Sequence, residues 1–264
     1  MDLGLKGKSA VVSGSTAGIG LAIATVLAQE GARVVINGRT DARVAAALKT
    51  IQSQVKNAEV RGVAADLGTA AGVEKFIKEI PGADILVNNL GIFEVKPFQE
   101  IPDSDWLRFF EVNVLSGVRL SRHYLPAMLK NKWGRIIFIS SESGQQIPAE
   151  MIHYGMTKTA QVAIARGLAE SVAGSGVTVN SILVGPTASE GASVFVKDMA
   201  RQQGVSTAEI EKQFFAGVRP TSLLKRFETP EEIGKVVAFV ASEHAVTING
   251  AAVPADGGVI RSIF

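Results

Sequence analysis

The chain contains no cysteine. Disulfides and thiolate metal sites are therefore excluded, whatever compartment the protein occupies. Histidine is scarce too. His123, His153 and His244 show no ligand spacing, so no metal site is expected. Aromatic residues make up only 6% of the chain, and Trp106, Phe109 and Phe110 read as core or subunit contacts rather than a base-stacking platform. No block of like charges occurs and the formal net charge is only +2, which excludes a basic nucleic-acid surface. No apolar run is long enough to cross a bilayer, and the segment Met1–Lys8 lacks the apolar core of a secretory signal. The expectation is a soluble cytoplasmic protein with neither nucleic-acid nor membrane partners.

What is present suits a large packed core. Hydrophobic residues make up 47% of 264 and charged residues 20%, so the whole span 1–264 is expected to form a single α/β domain. Short apolar runs alternate with amphipathic segments. Ser9–Val12, Arg33–Ile36, Asp84–Val87, Arg135–Ile139, Val177–Leu183 and Ala251–Pro254 read as strands, and a further strand precedes Asp66. Gly18–Gln29 and Arg43–Val55 read as helices, and a long helix begins around Val114. The run Ile136–Ile139 is apolar enough to be buried on both faces. This alternation predicts a parallel sheet, doubly wound by right-handed crossovers, with helices on both faces. Ligands then bind beyond the C-terminal strand ends. Residues from about 188 to 227 break the rhythm. Ala208–Phe215 reads as helix there, and the segment is expected to be a substrate lid, the other reading being a peripheral packing arm. Its Phe195, Phe214, Phe215 and Phe227 either cover an apolar substrate or pack among themselves. Its Arg201, Arg219, Lys225 and Arg226 either meet an anionic substrate or face water.

The first strand runs into Ser13-Gly14-Ser15-Thr16-Ala17-Gly18-Ile19-Gly20 and then a helix. A glycine-rich turn between strand and helix is a dinucleotide signature, because helix N-terminal N–H groups and the helix dipole favour phosphates. Gly14 permits the tight turn, Gly18 lets backbone approach a pyrophosphate, and Gly20 lets the helix pack closely. Ser15 and Thr16 are expected to add hydroxyl donors. Where an NAD-binding strand would end in a carboxylate, this chain has Asn37-Gly38-Arg39-Thr40. Arg39 can pair with a 2′-phosphate, so NADP(H) is expected and NAD remains possible. Asp66 and Leu67 fall where adenine would lie, and Asn88-Asn89-Leu90-Gly91 where a ribose would pass.

Tyr154 and Lys158 are neighbours on one helical face. The expectation is that the lysine ammonium lowers the phenol's pKa, letting Tyr154 move a proton at a carbonyl or alcohol oxygen. Lys158 can also hold the nicotinamide ribose. Ser141, at the end of its strand, can orient the substrate oxygen. Asn113 is expected to hold a water that relays protons to Lys158. His153 is expected at another helical face, at the surface or lining the substrate mouth.

Taken together, these motifs resemble the short-chain dehydrogenases/reductases. The resemblance spans essentially the whole chain, from the glycine turn through Asp66, Asn-Asn-Leu-Gly, Asn113, Ser141, Tyr154 and Lys158 to Gly185-Pro186-Thr187 and Asp256-Gly257-Gly258. It is similar in particular to bacterial 3-oxoacyl-[acyl-carrier-protein] reductases. The resemblance implies a Rossmann-like sheet of about seven strands and a catalytic set of Asn113, Ser141, Tyr154 and Lys158. It also implies NAD(P) contacts from Ile19, Asn89, Gly91 and Thr187, and a homo-oligomer, tetramer or dimer. The implied function is hydride transfer between NADP(H) and a carbonyl or alcohol substrate. The alternatives are an NAD-preferring alcohol dehydrogenase and a non-catalytic NAD(P) sensor. Three residues depart from the family pattern. Leu90 replaces a small alanine and is expected to narrow the site near the cofactor. Val184 replaces a proline and is expected to loosen the following loop. Ser13 replaces a threonine.

Overall fold

The computed structural model describes residues 1–263; within that span, the side chains of residues 191, 192, 194 and 195 lie outside the description. Phe195, assigned above to the lid, falls among these. Seven strands form one parallel sheet in the order β3-β2-β1-β4-β5-β6-β7. They are β1 Ser9–Val12, β2 Arg33–Gly38, β3 Val60–Ala64, β4 Ile85–Asn88, β5 Gly134–Ser141, β6 Val177–Val184 and β7 Ala252–Ala255. The chain winds outward through β2 and β3, then returns to place β4 on the other side of β1. That reversal opens a crevice beyond the C-terminal ends of β1 and β4.

Residue alternation along the strands sorts side chains between two cores. Val12, Ile36 and Ile85 face the cluster made with α1 (Gly18–Gln29), α2 (Asp41–Gln54) and, near the C-terminus, the helix Pro230–Ala241. Val11, Val35 and Leu86 face the cluster on the opposite side, which includes Phe76, Leu120, Tyr124 and Ala165. Those residues belong to α3 (Ala70–Glu79), α5 (Ser116–Asn131) and α6 (Ile152–Ser171). Every residue of β5 and β6 is buried, as the apolar run in β5 implied. The last strand contains Pro254, which lacks an N–H; it sits on the sheet edge, where one side of the ladder needs no donor.

The long helix expected from Val114 has an antecedent. A helix α4 (Asp103–Phe110) runs through a π-type turn, Glu111–Leu115, directly into α5. Such turns concentrate at functional sites, and this one carries Asn113. The segment after β6 holds two helices, α7 (Glu190–Gln203) and α8 (Thr207–Gln213), then a second π-type turn, Phe214–Val218. Only the second helix was legible, because the apolar residues of α7 are scattered. The helix Pro230–Ala241 is α9, opened by a capping box between Thr229 and Glu232. Among the described residues no helix is long and apolar enough to cross a membrane, and no group of three His, Asp or Glu could hold a metal.

Beneath the loop leaving β6 lies a buried acidic pair. Glu228 bridges back to Thr187 through backbone bonds, and Asp256 accepts from the N–H groups of Gly258 and Ile260. Burial, then the Asp256 charge, pushes Glu228 up to about 7. Its folded pKa thus exceeds the unfolded value, so the fold binds the proton more tightly and loses stability as pH rises from about 4.5 to about 7. Glu228→Gln removes that cost. A gain on the order of 2 kcal/mol is expected at pH 8, shrinking to nothing below pH 4.5, as measured by Tm across pH.

Candidate active site

The turn after β1 is a braced structure. Gly14 has φ of 60°, the left-handed region, and the Leu90 backbone and side chain crowd it. Gly20 lies where a Cβ would strike the Asn89 amide and the Gly14 carbonyl, so the start of α1 requires its absence. The Asn89 side chain donates to the Ser13 and Gly14 carbonyls, each at 3.0 Å. Ser13 keeps a threonine's hydroxyl function, accepting from the N–H groups of Asn89 and Leu90. The N-cap of α1, Ala17, makes no side-chain cap hydrogen bond, and Gly18 lies against Ser189.

Several residues expected to bind the cofactor also hold local structure. Ser15 is fully buried, donates to the Val12 carbonyl at 2.6 Å and accepts from Asn37 N–H, so its hydroxyl is engaged within the turn. The hydroxyl faces inward because the turn folds back over β2. Thr16 retains the part-exposed position and packs its methyl against Gly38. Leu67 puts its side chain in the hydrophobic core, leaving only its backbone for a ligand. Asp66 is exposed and accepts from Gly68 N–H at 3.0 Å. Arg39 is exposed at the end of β2 and pairs with no carboxylate among the described residues, while Arg43 pairs with Glu190 of α7 at 3.0 Å. Thr187 donates to the Gly185 carbonyl at 3.0 Å.

Two adjoining cavities meet above the sheet. The smaller, about 240 Å³, is lined by Ile19, Asn89, Gly91, Ile139, Lys158 and Val184, among others. The larger, about 820 Å³, lies under the lid. Phe93, Ser141, Tyr154, Gly185 and Thr187 line both. From the segment 188–227, Val196, Met199, Ile210, Phe214, Arg219 and Phe227 line the larger cavity. Phe214, Phe215 and Phe227 also stack mutually at 5.1–5.2 Å, so the aromatic group both packs and lines. Of the bases named above, only Arg219 reaches the large cavity. Arg226 holds Glu232, Arg201 lies near Asp198 and Lys225 donates to the Pro220 carbonyl.

Helix α6 is bolted to the end of β5. Ser140 donates to the Lys158 carbonyl at 2.8 Å, and Lys158 Nζ donates to the Ile139 carbonyl at 2.8 Å. This sets Tyr154 beside Ser141. The expected acidification of Tyr154 by Lys158 is overturned. Burial pushes the phenol up to about 12, with the Ser141 hydroxyl as the main opposing influence. Lys158 is itself pushed down to about 8 by burial, and its ammonium points at Ile139 and Gln161, with Nζ 5.6 Å from the Tyr154 ring centre. Ser141 gives its proton to Glu142 Oε2 at 2.7 Å.

Between Asn113 and Lys158 lies Gln161, which accepts from Lys158 Nζ at 3.2 Å and donates to the Asn113 carbonyl at 2.6 Å. The Asn113 side chain is fully engaged with the Ile92 backbone and the Thr157 hydroxyl. Gln161 was missed, although its position three residues after Lys158 puts it on the same helical face. Glu142 was missed too, despite following Ser141 directly. His153 is not at the surface; it is fully buried against Phe109, with ring centres 4.1 Å apart, and burial lowers its pKa. Leu90 lines neither cavity and packs over Gly14. Val184 is held in the β6 ladder beside Ala255, so the start of the following loop is fixed by the sheet.

The model of the short chain dehydrogenase family matches residues 8–200. The chain belongs to that family. As a family member it is an NAD(P)-dependent dehydrogenase or reductase. It is 47% identical to the oxidoreductase YvaG of Bacillus subtilis over 264 residues, covering all of both chains. It is 35% identical to the 3-oxoacyl-[acyl-carrier-protein] reductase FabG of Pseudomonas aeruginosa, covering 98% of this chain and all of that one. Among solved structures, L-sorbose reductase from Gluconobacter frateurii, complexed with NADPH and L-sorbose, superposes with a TM-score of 0.94 at 31% identity over all of both chains.

The Lys158 environment yields a direct test. An NMR titration of its side chain is expected to show a midpoint near 8. Gln161→Leu removes an acceptor that favours the ammonium and should move the midpoint lower. An unchanged midpoint would mean that the contact does not hold the charge.

Proposed function

We propose that this protein is an NADPH-dependent carbonyl reductase with Tyr154 as the proton donor. The observation that carries the proposal is the shared wall: Ser141 and Tyr154 line both the small cavity, beside Lys158 and Gly91, and the large one under the lid. A hydride donor in the first and a carbonyl in the second would meet across these two hydroxyls.

The residues present suit a dinucleotide. The uncapped N-terminus of α1 offers N–H groups to a pyrophosphate. The exposed Arg39, with no carboxylate beside it, offers a charge-assisted contact to a 2′-phosphate. Lys158 and Gly91 line the cavity in which a nicotinamide ribose would lie. The NADPH bound by the structurally similar L-sorbose reductase agrees with this choice.

NADPH supplies a hydride, two electrons with one hydrogen. The chain's residues manage the oxygen. Ser141 turns its hydroxyl from Glu142 to the carbonyl oxygen and orients it. As the carbon accepts the hydride, the carbonyl π pair moves onto oxygen, and the Tyr154 O–H bond breaks to protonate it. A phenol pushed up to about 12 is fully protonated at neutral pH, which suits giving a proton in the reductive direction. A solvent proton then restores the phenol, whose ring centre lies 5.6 Å from Lys158 Nζ. Asn113 acts through Gln161, holding Lys158 in place.

Two outcomes follow. Tyr154→Phe keeps the ring and removes the acid, so carbonyl-dependent NADPH oxidation should fall about 10²–10⁴-fold while NADPH binding persists; retained turnover would refute the role. Arg39→Ala should weaken NADPH about tenfold, the equivalent of about 1.4 kcal/mol, and leave NADH nearly unchanged in fluorescence titrations. Equal NADPH affinity in both proteins would remove the argument for NADP.

A further inference from the structure

The large cavity carries an unusual charge arrangement. Its lining is mostly apolar, with Ile147, Met151, Val196, Met199, Phe214 and Phe227 among its walls. The charged residues among its described lining are Glu142, Glu150 and Arg219. Arg219 is therefore the one cation there, and it is already engaged. Its Nε donates to Glu142 Oε1 at 2.7 Å, and its Nη1 donates to the Val218 carbonyl at 3.1 Å and lies 3.9 Å from Glu150 Oε1. Glu142 is buried and its second oxygen accepts from both Ser141 and Ser143. The ion pair thus sits directly against the hydroxyl that faces the reacting carbonyl.

From this arrangement we infer that the cavity accepts bulky, neutral, apolar carbonyl compounds and rejects anionic oxo acids, with Glu142 as the residue that enforces the choice. The inference rests on the carbonyl-reductase reading above and names its substrate class. An entering carboxylate meets two carboxylates and one guanidinium that is already neutralised, so it finds net repulsion. An apolar body finds matching walls. A volume of about 820 Å³ lies toward the upper end of ligand pockets and far exceeds what a four-carbon acid fills. The lid residues that build the apolar walls and the residue that closes the ion pair, Arg219, come from the same segment.

The test uses matched pairs with the whole protein and NADPH: ethyl 3-oxohexanoate against 3-oxohexanoate, and ethyl 3-oxo-3-phenylpropanoate against its free acid. Each ester should exceed its acid in kcat/KM by at least about tenfold. Lengthening the apolar chain of the ester should raise kcat/KM by about fourfold per buried methylene until the cavity is full. Glu142→Gln keeps the shape and unmasks the guanidinium, so the ester-to-acid ratio should fall about tenfold. Arg219→Gln does the opposite and should raise the ratio. Because ratios are read within each variant, a general loss of activity from disturbing Ser141 does not obscure the result. Acids preferred by the wild type, or ratios unmoved in both variants, would overturn the inference while leaving the reductase reading intact. NADPH binding with no reduction of either ester or acid would instead sink that reading and, with it, this one.

Discussion

The attachment of α6 to the end of β5 is the constraint on which the rest depends. Two buried hydrogen bonds, Ser140 to the Lys158 carbonyl and Lys158 to the Ile139 carbonyl, tie the helix to the strand. Gly144 permits the contact: a Cβ there would lie 2.9 Å from the Lys158 carbonyl carbon. Thr159 adds a bond to the Gly144 carbonyl at 2.7 Å. With strand and helix locked, Ser141 and Tyr154 share a wall although 13 positions separate them. Neither residue has a defined task without this joint.

Polar burial around the joint has a physical logic. Buried polar groups are costly unless paired; around the reacting hydroxyls most are paired, although both ring nitrogens of His153 have no partner among the described residues. Asn113 satisfies Ile92 and Thr157 with its side chain and Gln161 with its carbonyl. Glu142 gathers Ser141, Ser143 and Arg219. The result is two saturated networks, one behind the lysine and one beside the serine. Each holds a charge in a water-poor place, and each keeps the reacting hydroxyls from wandering. The π-type turn bears Asn113, which bonds at once to Ile92 in the loop after β4 and to Thr157 and Gln161 in α6.

Much of the fold was legible before any coordinates. Period-two and period-3.6 patterns are local, and so are strand runs such as Ile136–Ile139 and the turn Gly14–Gly20. They predicted a parallel sheet with helices on both faces, while the count of about seven strands came from the family resemblance; the observed sheet agrees with both. The family signature was equally plain in Ser141, Tyr154 and Lys158. The helix α7 was not legible, because its apolar residues are scattered in sequence and two of them, Val196 and Met199, serve a cavity rather than a core stripe. The buried position of His153 was missed because one face of α6 looks much like another until α4 is packed on it.

By itself the sequence determined the alternation of elements, the glycine turn and the Tyr-x-x-x-Lys spacing, because each of these depends on neighbours a few residues away. The tertiary structure alone decided which polar groups are free. It turned Ser15 inward onto Val12, and it drew Arg219 across 77 positions onto Glu142. It raised Tyr154 to about 12 and lowered Lys158 to about 8, reversing the expected direction for the tyrosine. Burial depends on what the whole chain packs around a group, and no local pattern carries that information.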